Sequence, residues 1–199
     1  MARSKSPGRH TGNTQSQLRI IGGQWRSRKL GFTPAEGLRP TSDRIRETLF
    51  NWLAPSIVDA RCADLFAGSG ALGLEALSRG ASHCDFVDSA ASATAQINAN
   101  LSSLNAQERG QCHSCEASTY LQKLNHKLDI VFIDPPFGHN LVQPTIEQLL
   151  SSQALAPQAL IYIETGKDEP LSAVPAHWLR HREKTSGGVC YRLYCSDIK

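Results

Sequence analysis

From residue 62 onward the chain alternates short apolar runs with stretches of helical period, and this pattern restricts the architecture more than any other feature. Strands are predicted at residues 62–66, 83–87, 111–115, 128–133 and 159–164. Helices are predicted between them at 71–78, 90–104, 118–124 and 141–150. Repeated βα units give a parallel sheet covered by helices on both faces. The end departs from the pattern. Residues 178–184 and 189–195 read as two strands joined by a turn at Gly187-Gly188, so the sheet is expected to finish in an antiparallel hairpin. The fold class expected is α/β, doubly wound and Rossmann-like.

The sequence has 199 residues, enough for one sizeable domain and a short appendage. No apolar run approaches the ~20 residues of a membrane helix. Residues 1–17 are polar, have no apolar core and do not read as a secretory signal. A cytoplasmic protein without a membrane partner is expected. Residues 1–46 hold ten Lys/Arg against two acids, for a net +8. The remainder holds eleven against sixteen, for −5. A basic arm beside an acidic body suits a polyanionic partner and a cationic cofactor.

Residues 1–17 are predicted to be a disordered basic tail. Residues 18–54 are predicted to form a basic β-hairpin around Gly22-Gly23, followed by a helix with Thr41 or Ser42 as N-cap. Ile45, Leu49, Trp52 and Leu53 give that helix its apolar face, with Arg44 and Arg46 expected off it. Arg19, Arg26, Arg28, Lys29, Arg39, Arg44 and Arg46 are the candidate phosphate contacts. Arg180, Arg182 and Lys184 form a second, weaker basic group interrupted by Glu183. Residues 55–199 are expected to form the catalytic domain. Of six cysteines, Cys112 and Cys115 match C-x-x-C, but Cys190 and Cys195 lack the spacing of a second ligand pair, so no metal is expected.

Asp64-Leu65-Phe66-Ala67-Gly68-Ser69-Gly70-Ala71-Leu72-Gly73 places G-x-G-x-x-G between a strand and a helix, the setting of a nucleotide-cofactor loop. Asp88 ends the next strand, where a carboxylate takes ribose hydroxyls. Asp64 stands at the mouth of the loop. It would oppose the pyrophosphate of a dinucleotide and favour the ammonium and sulfonium of S-adenosylmethionine. Glu116 and Ala117 follow the third strand. There an acid meets either the adenine amino group or the dipole of the next helix.

Asp134-Pro135-Pro136-Phe137 follows a buried strand. Proline fixes φ and removes N–H donors, so the carbonyls here point beyond the sheet. A carboxylate, free carbonyls and an aromatic ring at one edge suit a planar base with an exocyclic amine.

Together these motifs resemble class I S-adenosylmethionine-dependent amino-methyltransferases. Residues 19–30 (RIIGGQWRSRKL) and 37–53 (GLRPTSDRIRETLFNWL) further resemble the RsmD family of bacterial 16S rRNA guanine-N2 methyltransferases, a likeness running from Leu18 to Cys195. The resemblance implies a seven-stranded sheet, S-adenosyl-L-methionine as methyl donor, and a guanine of 16S rRNA within the small ribosomal subunit as target. Asp88 stands where a glutamate is frequent in the family, and Glu116 where an aspartate is. The candidate cofactor residues are Asp64, Phe66, Ala67, Gly68, Ser69, Gly70, Gly73, Asp88, Ser89, Glu116, Ala117 and Thr41. Asp134 and the Pro135 carbonyl are assigned to the amino hydrogens and Phe137 to stacking. A monomer is expected. Three alternatives use part of the same pattern. An adenine-N6 DNA methyltransferase shares the tetrapeptide but commits more chain to reading sequence. A nicotinamide oxidoreductase is opposed by Asp64 and the prolines. A non-catalytic RNA-binding factor is opposed by the intact tetrapeptide.

Overall fold

The computed structural model describes residues 16–32, 41–171 and 173–197. Its elements are β1 (Ser16–Arg19), β2 (Lys29–Phe32), α1 (Asp43–Leu53), β3 (Arg61–Asp64), α2 (Ala71–Ser78), β4 (His83–Asp88), α3 (Ala91–Ser103), β5 (Gly110–Ser114), α4 (Ala117–Lys123), β6 (Leu128–Ile133), α5 (Val142–Ser151), β7 (Leu155–Gly166), β8 (Trp178–Ser186) and β9 (Val189–Ser196). Seven strands form one sheet in the order β5-β4-β3-β6-β7-β9-β8. The first five are parallel, and β9 pairs antiparallel with both β7 and β8. The expected doubly wound sheet and its terminal hairpin are both present. β7 is the main departure in length. It begins at Leu155 rather than residue 159, with a register shift against β6 between Leu128 and Ile130.

Two buried clusters flank the sheet. One joins Ile45, Leu49, Phe50 and Leu53 of α1, Leu74 and Leu77 of α2 and Ile97 and Leu101 of α3 to Phe132, Tyr162, Tyr191 and Leu193 of the strands. The other packs Tyr120 and Leu121 of α4 and Ile146 and Leu149 of α5 on Val131, Ile161 and Ile163. The strands read as nearly continuous apolar runs because both of their faces are covered.

The basic hairpin is docked, not free. Leu18, Ile20, Leu30 and Phe32 enter the same cluster as α1, α2 and α3. Glu75 of α2, fully buried, accepts the Ile21 and Gly22 N–H groups, both at 2.8 Å. Asn100 of α3 donates to the Gly31 carbonyl at 3.0 Å. Ser16 and Gln17, expected in the tail, belong to β1, while residues 1–15 lie outside the described chain.

Arg46 corrects the sequence reading. Expected among the phosphate contacts, it is 1% exposed. Its guanidinium donates to the Arg19 carbonyl at 2.9 Å and to Asp43 at 2.6 Å, and lies 3.6 Å from Glu75. The reason is spacing: Arg46 shares a helical stripe with Leu49, Phe50 and Leu53, whereas Trp52 lies half out of it and stacks on Tyr191. Ser42, not Thr41, caps α1, its hydroxyl accepting the Ile45 N–H at 3.4 Å. Arg39 lies outside the described residues.

Candidate active site

The carboxyl ends of β5, β4, β3, β6 and β7 open into one cavity of about 740 Å³. That is the size of a small-molecule site. It sits where connections leave the sheet in opposite directions, between β3 and β6, as the ligand rule for open α/β sheets requires.

The glycine loop builds one wall. Gly70 takes a left-handed φ of +78° and starts α2. Gly73 lies against β4, and a Cβ there would fall 2.2 Å from the Phe86 ring. Close approach of helix and strand therefore requires glycine at 73. Neither Gly70 nor Gly73 lines the cavity; Phe66, Ala67, Gly68 and Ser69 do. Asp88 holds the loop, accepting Gly68 N–H and Ala90 N–H at 2.8 Å each. Ser89, Glu116 and Ala117 also line the cavity.

Asp64 is 1% exposed and accepts the Gly73 N–H at 3.1 Å through Oδ2. Its Oδ1 is buried with no hydrogen-bond partner among the described residues. Burial raises this carboxyl to about 7; the Gly73 N–H and, from outside good hydrogen-bond geometry, the Phe66 N–H oppose the rise, and the charges of Asp134 and Asp88 add to it. An orphaned carboxylate oxygen on a cavity wall is costly unless a donor arrives. An ammonium meets that requirement as a donor, a sulfonium offers charge attraction only, and a phosphate opposes both.

Asp134, Pro135 and Phe137 all line the same cavity. Asp134 accepts the Thr41 hydroxyl at 2.8 Å. Thr41, expected near the cofactor, lines the same cavity. Phe137 is 42% exposed. Burial raises the Asp134 carboxyl, opposed by the Thr41 hydroxyl.

Glu164 was not among the candidates. It is 4% exposed, lines the cavity and accepts the Tyr162 hydroxyl at 2.7 Å. Burial, then the Asp134 charge, raises its carboxyl, against the Tyr162 bond. Its one sequence signal was an acid closing an apolar run; only the β6–β7 register makes it a neighbour of Asp134. The turn of the last hairpin, Ser186 to Val189, also reaches the cavity.

A seven-stranded sheet with this terminal hairpin, bearing an acid-lined cleft at its switch point, is a Rossmann-like class I methyltransferase fold. The chain belongs to the family described as Conserved hypothetical protein 95, whose model matches residues 18–195. It is 50% identical over 185 residues to Ribosomal RNA small subunit methyltransferase D of Escherichia coli K12, covering 93% of this chain and 92% of that one. It superposes on the putative methyltransferase yhhF from Escherichia coli with a TM-score of 0.85 at 47% identity, covering 92% of this chain and all (100%) of that one. At the level of fold alone, it matches a putative methyltransferase solved in complex with SAH, with a TM-score of 0.70, 16% identity, and coverage of 98% and 58%.

Proposed function

We propose that the protein transfers a methyl group from S-adenosyl-L-methionine to the exocyclic N2 amine of a guanine in 16S rRNA, acting on the small ribosomal subunit. The observation that carries this reading is the pair Asp64 and Asp134 in one cavity, the first offering an unpaired buried oxygen to a cation and the second an acceptor to an amine. The rRNA substrate is supported by the name of the 50%-identical relative.

S-adenosyl-L-methionine supplies an electrophilic methyl on a sulfonium. Asp64 would hold its cationic amino-acid portion, Asp88 its ribose, and Glu116 would lie at the adenine side. The guanine amine is a poor nucleophile because its lone pair is delocalised into the ring. Asp134 and the Pro135 carbonyl accept its hydrogens and localise that pair as nitrogen becomes pyramidal. As the N–CH3 bond forms and the S–CH3 bond breaks, S-adenosyl-L-homocysteine would leave, and the amine's surplus proton passes to Asp134 or to water. Positive charge grows on nitrogen during transfer, so these acceptors bind the transition state more strongly than the ground state. Phe137 stacks on the extruded base, a contact worth about 1–3 kcal/mol.

Asp64 titrates near 7 in the folded chain against 3.8 ordinarily, so the folded state keeps the extra proton across that window. The Asp64 contribution to stability therefore falls as pH rises from about 4 to about 7. Binding of a cation to ionised Asp64 runs the other way. Affinity for S-adenosyl-L-methionine should drop about tenfold per pH unit on descending below 7. Calorimetry between pH 5.5 and 7.5 checks this, with Asp64→Asn expected to bind weakly and without that slope. A flat wild-type profile contradicts the assignment.

RNA docking is carried by exposed cations that lie in no ion pair among the described residues, although Arg28 also donates to the Ser103 carbonyl at 3.2 Å. Arg26, Arg28, Lys29 and Arg44 are exposed, whereas Arg19 is paired with Asp43 at 2.8 Å. The weaker group at the chain's end gains weight. β8 is a sheet edge, and its register shifts between Arg180 and Arg182. That shift sorts the charges, because facing residues share a side of the sheet. Glu183 faces Arg192 and pairs with it and with Arg180, at 2.7 and 3.1 Å. Arg182 and Lys184 face Leu193 and Tyr191 instead, on the side of α1 and the basic hairpin. Neutralising Arg26, Arg28 and Lys29 together should reduce the salt dependence of RNA binding by about 0.7 per lost phosphate contact. Titrations across salt concentrations measure it; an unchanged slope counts against the hairpin as a docking surface.

The test of the whole reading is radiolabelled methyl transfer with small subunits, naked 16S rRNA, DNA and free guanosine as competing acceptors. Label is expected in the subunit rRNA. Preferential labelling of DNA would favour the adenine-N6 alternative.

A further inference from the structure

Five acids stand in sequence along the carboxyl edge of the sheet. Glu116 follows β5, Asp88 ends β4, Asp64 ends β3, Asp134 follows β6 and Glu164 lies near the end of β7. The first three border the glycine loop. Asp134 stands at the middle. Glu164 lies one strand farther from the cofactor wall, about 4.8 Å on, toward the rim formed by Phe137 and the β8–β9 turn. Ile133 pairs with Ile163, so Asp134 and Glu164 sit level on adjacent strands.

The Glu164 side chain is held rather than loose. It is 4% exposed, and the Tyr162 hydroxyl donates to Oε2 at 2.7 Å. Its Oε1 accepts no hydrogen bond from the described residues, although the side chain lines the cavity. A buried acid with one oxygen bound from behind and the other free is a built acceptor.

We propose that Glu164 reads the target base, its carboxylate accepting the ring N1–H of guanine while Asp134 accepts a hydrogen of the adjacent N2 amine. The proposal rests on the guanine-N2 reading above. Guanine presents N1–H and N2–H as neighbouring donors on one edge. Adenine presents a bare ring nitrogen at the equivalent place, which a carboxylate repels. Two level acceptors one strand apart therefore match guanine and reject adenine by the same contact. Tyr162 fixes the side chain from below, which is what makes such a contact discriminating.

The test replaces the target guanine with 2-aminopurine in small subunits assembled on ligated rRNA. That base keeps the methyl-accepting amine and lacks the ring N–H. Above pH 8, where Glu164, raised to about 8 by burial and the Asp134 charge, is ionised, wild-type protein should favour guanine about 10–100-fold in kcat/KM. E164Q, whose amide N–H can donate to the bare ring nitrogen, should bring that ratio to within about threefold of unity. Its affinity for S-adenosyl-L-methionine should match wild type, which also reports that it folds. If the glutamine variant does not fold, E164D serves: it should lose about tenfold on guanine and little on 2-aminopurine. A wild-type protein that does not discriminate, an E164Q variant that keeps the wild-type ratio, or an E164D variant that loses equally on both bases overturns the proposal. Nucleoside analysis of unsubstituted rRNA separates this from failure of the underlying reading, because a product other than N2-methylguanosine removes the latter.

Discussion

Asp134→Ala should bind S-adenosyl-L-methionine normally yet transfer methyl about a thousandfold more slowly. The side chain lies at the centre of the cavity edge, oriented by the Thr41 hydroxyl at 2.8 Å. Removing it takes away the acceptor aimed at the nitrogen where charge develops. The glycine loop and Asp88 do not depend on it. Its charge does contribute to raising the Asp64 carboxyl, so its loss should let Asp64 ionise at lower pH. Cofactor affinity near pH 6.5 should therefore hold or tighten. Asp134→Asn retains a carbonyl acceptor and should fall between the two, while Thr41→Val should lower kcat without weakening the cofactor. Single-turnover transfer and calorimetry on the same samples provide both readouts. Near-normal turnover in the alanine variant would remove Asp134 from the chemistry.

Glu75→Ala should cost about 3–5 kcal/mol of stability, the scale of breaking a buried, hydrogen-bonded charge network. Glu75 is fully buried beneath the hairpin. It accepts two backbone N–H groups, receives Arg79 Nε at 2.7 Å and faces Arg46 at 3.6 Å. Its loss leaves the Ile21 and Gly22 N–H groups without their acceptor and removes the carboxylate facing Arg79 and the buried Arg46, which keeps only Asp43 and the Arg19 carbonyl. Urea unfolding should show the lower midpoint, and hydrogen exchange should show loss of protection at Ile21 and Gly22 beyond the global change. Unaltered stability would mean that the hairpin does not depend on Glu75.

Much of this was legible beforehand for a physical reason. Strands covered on both faces read as apolar runs, and the glycine loop needs its residues at fixed spacing, as the close contact of Gly73 with Phe86 shows. Asp64, Asp88 and Asp134 were legible because each ends or follows a parallel strand, and such ends converge. Glu164 was hidden because its importance comes from pairing between β6 and β7, which no local pattern encodes. Arg46 misled because a long cation reads as surface, yet it lies three, four and seven residues from Leu49, Phe50 and Leu53. Glu75 was silent because, besides Arg79 one turn on, the backbone groups it accepts lie 53 and 54 residues away. The bulge in β8 that sorts Arg182 and Lys184 from Glu183 leaves no mark on alternation that sequence alone can register.

The central claim is that one cavity joins a cation-binding carboxylate to an amine-accepting one so that a guanine amine receives the methyl group. The most direct measurement is chromatography of nucleosides from 16S rRNA after incubation of small subunits with the protein and methyl-labelled S-adenosyl-L-methionine. The label should run with N2-methylguanosine, at an initial rate about a thousandfold lower when Asp134 is alanine. Label in N6-methyladenosine, or an undiminished yield from the alanine variant, would contradict it.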